Sequence, residues 1–140
     1  MSRIFWDTNL FIYLIDDYGQ LSERVVGLRK RMNERRDELC TSALTLAEIL
    51  TKPLEANEEV FARRYEAALL QGAVIIPFDV DAARLYASIH TDRTIRPPDA
   101  IQLACAAQAR VDLFITNDDR LSSKSIPCIH FASSLQRAFL

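Results

Sequence analysis

The stretch RIFWDTNLFIYL, residues 3–14, sets the interpretation of the whole chain. Its bulky residues lead directly into Asp7 and two small polar residues, after which apolar residues resume. Short apolar runs flanked by polar residues are typical of a parallel strand that is covered on both faces. In open α/β sheets the functional residues lie beyond the carboxyl ends of the strands. Asp7 is therefore predicted to stand at that edge, although Asp is also a common N-cap for a following helix.

The composition is that of an ordinary globular chain. With 140 residues, 49% of them hydrophobic and 26% charged, the sequence is long enough for one domain that buries about two thirds of its chain surface. We expect a single domain over residues 1–140. The amino terminus reaches Asp7 before any secretory apolar region, and no apolar run approaches the roughly 18 residues that span a bilayer. A cytoplasmic protein without membrane association is expected.

Cysteine, histidine and charge content exclude several kinds of site. The three cysteines, Cys40, Cys105 and Cys128, lack the spacing of a zinc site or a disulfide framework and are interpreted as core thiols. His90 and His130 are isolated and are interpreted as structural or surface residues. The net charge of −2 argues against a strongly basic surface for nucleic acid. All but three of the 17 basic residues are Arg, which is compatible with a phosphate-bearing partner.

Strand-like and helix-like segments alternate along the chain. After the first strand, further strands are predicted at 39–42, 73–76, 111–115 and, as a fifth, 126–130. Helical spacing predicts a helix from Leu21 with a basic solvated face, one at 45–50 that stops before Pro53, one capped by Asn57, one capped by Asp79, and one at 99–109. This alternation predicts a three-layer α/β domain, with helices on both faces of a parallel sheet of four or five strands.

Four of the nineteen acidic residues follow predicted strands or begin predicted helices: Asp7, Glu48, Asp99 and Asp118. Each also has a structural explanation. Glu48 can close a capping box with Thr45, Asp99 complements a helix dipole, and Asp118 can form an Asx turn. None of these explanations accounts for the fact that each of the four acids has apolar neighbours in the sequence. The exits of strands one, two and four share one sheet edge, so we expect the four carboxylates to converge there.

Converging carboxylates require a cation. A single pair about 5 Å apart repels by about 3 kcal/mol at an effective dielectric constant near 20. Oxygen ligands without a Cys or His cluster select hard ions such as Mg²⁺ or Mn²⁺, and carboxylate-held Mg²⁺ characteristically handles phosphates. The sequence has no evident nucleophilic Cys, Ser-His pair or Gly-rich phosphate loop. We therefore expect hydrolysis by metal-activated water.

Four segments that contain these acids resemble the acidic motifs of PIN-domain ribonucleases. They are DTN at 7–9, TLAEIL at 45–50, PPDAIQLA at 97–104 and TND at 116–118. They occur in the family's order and cover essentially the whole chain, whose size resembles that of the VapC toxins. The resemblance implies a PIN-like fold, a Mg²⁺ or Mn²⁺ site, endonucleolytic cleavage of structured RNA, a homodimer, and a cognate antitoxin that blocks the cleft.

The same resemblance assigns roles to individual residues. The acidic quartet, which would bind the metal and catalyse, matches Asp7, Glu48, Asp99 and Asp118. Asn9 and Thr116 match polar residues that support the quartet, and Asp119 is a further possible ligand because it adjoins the fourth position. Trp6 is bulkier than the small aliphatic residue expected before the first acid. Three arginines near these motifs, Arg93, Arg96 and Arg120, are predicted to contact substrate phosphates.

Two other functions were weighed against this one. A non-catalytic PIN-like module that binds RNA or protein would not need all four acids. A phosphatase or phospho-acceptor domain would use Asp7 as its nucleophile. Phosphatases of that type usually have Asp-x-Asp, whereas Asn9 fills the second position here, and Lys124 is poorly placed for an acceptor domain.

Overall fold

The computed structural model describes residues 1–124, 126 and 132–138. The strands are β1 (Arg3–Trp6), β2 (Glu38–Ser42), β3 (Val74–Ile76), β4 (Leu113–Thr116) and β5 (Ala132–Ser134). The helices are α1 (Thr8–Ile15), α2 (Gln20–Arg35), α3 (Ala43–Glu55), α4 (Glu59–Gly72), α5 (Val80–Ile89), α6 (Pro97–Gln108) and α7 (Asp119–Ser122), and a 3₁₀ turn spans Leu135–Arg137. No helix in the described part of the chain is long and apolar enough to cross a membrane.

The five strands form one parallel sheet in the order β3-β2-β1-β4-β5. Side chains alternate between the two faces of a strand, so β1 contributes to two separate cores. Phe5 lies in the core that includes Leu103 of α6, whereas Ile4 and Trp6 lie in the core that includes Leu28 of α2. The predicted three-layer α/β fold is therefore confirmed.

The register of the sheet determines which residues share its carboxyl edge. Trp6 pairs with Ile115, and the backbone N–H of Asp7 donates to the carbonyl oxygen of Ile115 at 3.0 Å. Because β1 is central, the residues that follow β2 and β4 flank Asp7 on its two sides. The first turn of α3 and Thr116 are thereby brought to the same edge.

The helix boundaries near Pro53 and Asn57 differ from the prediction. The helix expected to stop before Pro53 continues through it to Glu55. A proline within a helix removes one backbone hydrogen bond, and here its ring is buried, which offsets part of that loss. Asn57 does not cap α4. It has a positive φ of 57° in the turn before the helix, and Glu58 holds the N-cap position.

The fifth strand is parallel to β4, as expected, but it is formed by Ala132–Ser134. Apart from Ile126, the segment predicted for it at 126–130 lies outside the described residues, and so do Cys128 and His130. Cys40 and Cys105 are buried free thiols, as predicted. Burial raises the pKa of Cys105 to about 11, which keeps this thiol protonated and unreactive at neutral pH.

Candidate functional site

Asp7 lies at the base of the site, immediately after the central strand. Its side chain accepts a hydrogen bond from the backbone N–H of Thr8 at 2.8 Å, which makes it the N-cap of α1. Its other oxygen, Oδ2, accepts from Thr116 Oγ1 at 2.8 Å. The residue is only 7% exposed. The simple capping explanation is therefore correct, but it leaves unexplained why this cap is buried against β4.

Burial raises the pKa of Asp7 to about 6. The hydrogen bonds from Thr116 and Thr8 act in the opposite direction, because they stabilise the ionised carboxylate. The negative charges of Asp99 and Glu48 raise the pKa further. The charges of these two acids therefore act on Asp7 across the same edge of the sheet.

Glu48 approaches Asp7 through Thr8. The Thr8 hydroxyl donates to Glu48 Oε1 at 2.8 Å, so one residue contacts both carboxylates. The capping box between Thr45 and Glu48 does not form, because α3 begins at Ala43 and Ser42 holds its N-cap position. The Thr45 hydroxyl instead lies 3.0 Å from that of Thr8. Glu48 is exposed, and its carboxylate forms the outer part of the site.

A buried amide joins these groups to α6. Gln102 is 1% exposed, and its Nε2 donates to Thr8 Oγ1 at 2.9 Å and to Thr45 Oγ1 at 2.8 Å. Nε2 also lies 3.4 Å from Asp7 Oδ1, and Gln102 Oε1 accepts from the Ser42 hydroxyl. Sequence analysis assigned no role to Gln102. Its position three residues after Asp99, on the same face of a helix, was the signal that could have identified it.

Asp99 and Asp118 are held by two arginines. Arg96 Nε donates to Asp99 Oδ2 at 3.3 Å, and Arg96 Nη2 lies 3.8 Å from Asp118 Oδ2. Arg120 contacts both oxygens of Asp118, with Nη2 at 3.1 Å from Oδ2 and Nε at 3.3 Å from Oδ1. The hydrogen bond from the Arg120 guanidinium lowers the pKa of Asp118. Two of the three predicted arginines are therefore at the site, in contact with acids.

Asp118 is also tied to the residues around Asp7. Its backbone N–H donates to Thr116 Oγ1 at 3.1 Å, and that same hydroxyl donates to Asp7. The Asp118 side chain accepts from the backbone N–H of Arg120 at 3.0 Å and caps α7, so the predicted Asx-type role is present as well. All four predicted acids thus belong to one connected group at the carboxyl edge of the sheet.

The remaining predicted residues are less closely engaged. Asn9 lies in the first turn of α1, and its buried Oδ1 has no hydrogen-bond partner among the residues that the structure describes. Asp119 is exposed at the start of α7. Arg93 Nη1 lies 3.3 Å from His90 Nε2, so this arginine contacts an imidazole, and its predicted contact with substrate phosphate stays a prediction.

The donor set fits a hard divalent cation. The four acids supply only oxygen, and the anionic neighbours of Asp7 favour a positive charge beside it. Asn9 Oδ1 is a buried acceptor that receives no hydrogen bond from the described part of the chain. Within residues 1–124, 126 and 132–138, no three Asp, Glu, His or Cys side chains are grouped closely enough to hold an ion. The arginines occupy Asp99 and Asp118, so a cation bound by all four acids requires these guanidinium groups to move.

Solved structures of toxin-antitoxin complexes contain chains with this fold. A chain of VapBC2 from Rickettsia felis, bound to a DNA fragment from its promoter, matches with a TM-score of 0.76 at 15% identity, covering 94% of this chain and 98% of that one. A chain of VapBC-1 from nontypeable Haemophilus influenzae gives a TM-score of 0.72 at 17% identity, covering 96% and 99%. A chain of FitAcB from Neisseria gonorrhoeae gives 0.65 at 26% identity, covering 82% and 87%.

Sequence comparison identifies the family. No curated protein gives a significant match to the sequence. A family model described as the PIN domain matches residues 4–126, which contain all four acidic motifs. The resemblance that those motifs suggested is confirmed, and the chain belongs to the PIN-domain family.

Proposed function

We propose that this protein is a metal-dependent endoribonuclease that hydrolyses RNA phosphodiester bonds at the acidic site. The observation that carries the proposal is the environment of Asp7, a buried carboxylate whose pKa is raised to about 6 and which has Glu48 and Asp99 as anionic neighbours. Such an arrangement is costly in the free protein, and a bound cation would relieve the cost. Perturbed carboxylates of this kind are concentrated at functional sites.

Asp7, Glu48, Asp99 and Asp118 would hold Mg²⁺ or Mn²⁺, one or two ions, with Asn9 and Asp119 as possible further oxygen ligands. When bound, the metal polarises the scissile phosphate and lowers the pKa of the attacking water. The protein's own contribution is orientation. Thr116 and the Thr8 backbone fix the two oxygens of Asp7, and the Thr8 hydroxyl fixes Glu48.

The phosphate contacts are proposed to come from Arg96 and Arg120, whose side chains are 65% and 68% exposed beside the acids. Guanidinium groups make bidentate contacts with phosphate oxygens and cannot lose their charge at neutral pH. Arg93 is a weaker candidate, because it is directed to His90. A phosphatase-like nucleophilic role for Asp7 is disfavoured, since the residue is buried and both of its oxygens accept hydrogen bonds.

The biological setting is proposed from the related structures. The chains that share the fold come from toxin-antitoxin complexes, which supports a VapC-like toxin with a cognate antitoxin. We further propose that residues 1–140 act as one domain, that the protein forms a homodimer, and that it cleaves structured RNA in the cytoplasm. Co-expression with the neighbouring reading frame tests the antitoxin, because a small second protein should co-purify.

Incubation of the purified protein with total RNA tests the activity. We expect discrete cleavage products with Mg²⁺ or Mn²⁺ and none with EDTA, and mapping of product ends will identify the site. Asp7→Asn removes one charge from the metal site without changing the shape of the side chain, so it should abolish most of the cleavage. Metal-dependent cleavage at the wild-type rate in Asp7→Asn would reject the proposal.

A further inference from the structure

Two arginines pair with carboxylates that are proposed to bind the cation: Arg96 lies between Asp99 and Asp118, and Arg120 lies against Asp118. The Arg96 guanidinium bridges Asp99, at 3.3 Å, and Asp118, at 3.8 Å, and Arg120 contacts both oxygens of Asp118. In the free protein these two arginines neutralise carboxylates that would otherwise repel each other. The positive charges of the arginines therefore reduce the repulsion between the carboxylates, as a divalent ion would.

We propose that Arg96 and Arg120 form an arginine latch, which holds Asp99 and Asp118 in the metal-free protein and transfers to the RNA phosphate when the ion binds. The inference rests on the proposed nuclease function and adds a second role for both arginines. They compete with the metal before it binds, and they bind substrate afterwards. Metal and RNA would then bind with positive coupling. The ion would release the arginines so that they can bind phosphate, and the phosphate would draw the arginines away from the acids that bind the ion.

The difference in exposure between the partners makes this exchange possible. The side chains of Asp99 and Asp118 are only 16% and 20% exposed, whereas those of Arg96 and Arg120 are 65% and 68% exposed. The acids are fixed at the edge of the sheet, and the guanidinium groups reach them from solvent. Exposed ion pairs are weak and gain little from holding two long side chains in place, so a divalent ion can displace these arginines without unfolding any element.

The backbone on which each arginine stands is itself held in place. Arg96 holds the N-cap position of α6, and Arg120 lies in α7, two residues after Asp118. The loop before Arg96 is tied to the end of α7 by Lys124, whose Nζ donates to Thr94 Oγ1 at 2.7 Å and to Asp92 Oδ2 at 3.2 Å. A released guanidinium group therefore stays at the mouth of the site. An RNA phosphate can then replace the carboxylate as the anionic partner of that guanidinium group.

Titration of Mn²⁺ into the metal-free protein by calorimetry tests the first half of the latch. Arg96→Gln and Arg120→Gln should each lower the Kd for Mn²⁺, by roughly five- to tenfold, because the ion no longer displaces a guanidinium group. The same variants should lower kcat/KM for RNA, because a phosphate contact is lost. The two effects have opposite signs, and a merely structural role would weaken both binding and cleavage.

Arg84→Gln is the matched control. Arg84 forms an exposed ion pair with Asp81, at 2.9 Å and with the same i,i+3 spacing as Arg96 and Asp99, but on α5. This control should leave the Kd for Mn²⁺ unchanged. Arg96→Lys keeps the positive charge but loses the planar fork that bridges two carboxylates, so it should also tighten Mn²⁺ binding. If Arg96→Lys binds Mn²⁺ with the same Kd as the wild type, then only the net charge of the site affects the affinity for Mn²⁺. That result would overturn the latch.

The outcomes separate this inference from the proposed function. The latch is overturned if the Kd for Mn²⁺ in Arg96→Gln and Arg120→Gln equals or exceeds the wild-type value. This holds whether or not the variants cleave RNA. Absence of Mn²⁺ binding in the wild type and in both variants also overturns it. If the wild type binds Mn²⁺ but leaves all RNA intact, the nuclease proposal fails, while the change in Mn²⁺ affinity still supports metal competition by the arginines.

Discussion

The hydroxyl of Thr116 donates to Asp7 Oδ2 at 2.8 Å and so joins the ends of the two neighbouring strands β4 and β1. The bond is buried, and it stabilises the ionised form of Asp7 against the cost of burial. Since a metal ligand must be deprotonated, this hydroxyl extends to lower pH the range in which Asp7 is available to a cation.

Thr116→Val should move metal-dependent cleavage to higher pH. Loss of the hydroxyl raises the pKa of Asp7 further above its present value of about 6, and a hydrogen bond to a charged group is worth about 1.5–3 kcal/mol. The pH of half-maximal cleavage, measured with subsaturating Mg²⁺, should therefore increase by roughly one to two units. Thr116→Ser retains the hydroxyl and should keep the wild-type profile. Identical profiles for all three proteins would contradict this role.

Ionisation of Asp7 should destabilise the metal-free protein. Burial raises its folded-state pKa to about 6, above the ordinary Asp value of about 4, so the folded state binds the proton more tightly than the unfolded chain. The free energy of unfolding should fall as pH rises from about 4 to about 6, by up to about 3 kcal/mol from this residue, and stay lower above that range.

Asp7→Asn should lack that decrease. Urea unfolding in EDTA should give similar stabilities for the two proteins near pH 4, and a more stable Asp7→Asn near pH 8. The difference between the two profiles isolates Asp7, because all other groups titrate in both proteins. Parallel profiles across this range would mean that burial does not raise the pKa of Asp7.

Gln102 should be a major source of stability beneath the site. Gln102→Leu keeps a similar volume but leaves the hydroxyls of Thr8, Thr45 and Ser42 without their amide partner. We expect the free energy of unfolding to fall by about 3 kcal/mol. The control is Gln108→Leu on the same helix, since Gln108 contacts Asp79 at the surface and its loss should change stability by less than about 0.5 kcal/mol. Equal effects would contradict a buried network.

Substitution of Asp118 should reduce cleavage far more than substitution of Asp119. Asp118→Asn retains the N-cap of α7 but removes a charge that contacts Arg96 and Arg120, and we expect a roughly 100-fold loss of Mg²⁺-dependent cleavage. Asp119 is exposed at the start of α7, so Asp119→Asn should cost no more than about threefold. Initial rates on one RNA substrate compare the two, and a larger loss in Asp119→Asn would place the metal ligand one residue later.

The part of the fold that was predictable depends on local patterns. The apolar run of residues 3–6 before Asp7 indicated a buried parallel strand, and it became the central strand of the sheet. Helical spacing after Pro98 indicated a helix, and α6 forms there, with Leu103 and Ala104 fully buried. Polar residues that follow parallel strands meet at one edge by topology, so the position of the acids followed from the same patterns.

The rest depends on contacts that no local pattern contains. Proline usually limits a helix, but the buried ring of Pro53 is accommodated within α3. The amide of Gln102 contacts residues from two distant segments, 7–8 and 42–45, which are adjacent only after the sheet has formed. Arg96 reaches Asp118 because the chain between α5 and α6 returns to the carboxyl edge. Spacing in the sequence does not specify this contact.

Trp6 gives the protein an intrinsic optical probe of its site. It is the single tryptophan in the sequence, it is fully buried, and it adjoins Asp7 in the chain. All indole fluorescence must therefore arise from one buried position whose backbone adjoins Asp7. Paramagnetic Mn²⁺ quenches a nearby excited indole, whereas diamagnetic Mg²⁺ does not. The emission of the unlabelled protein can thus follow Mn²⁺ occupancy directly, and its recovery on adding Mg²⁺ would report exchange of one ion for the other.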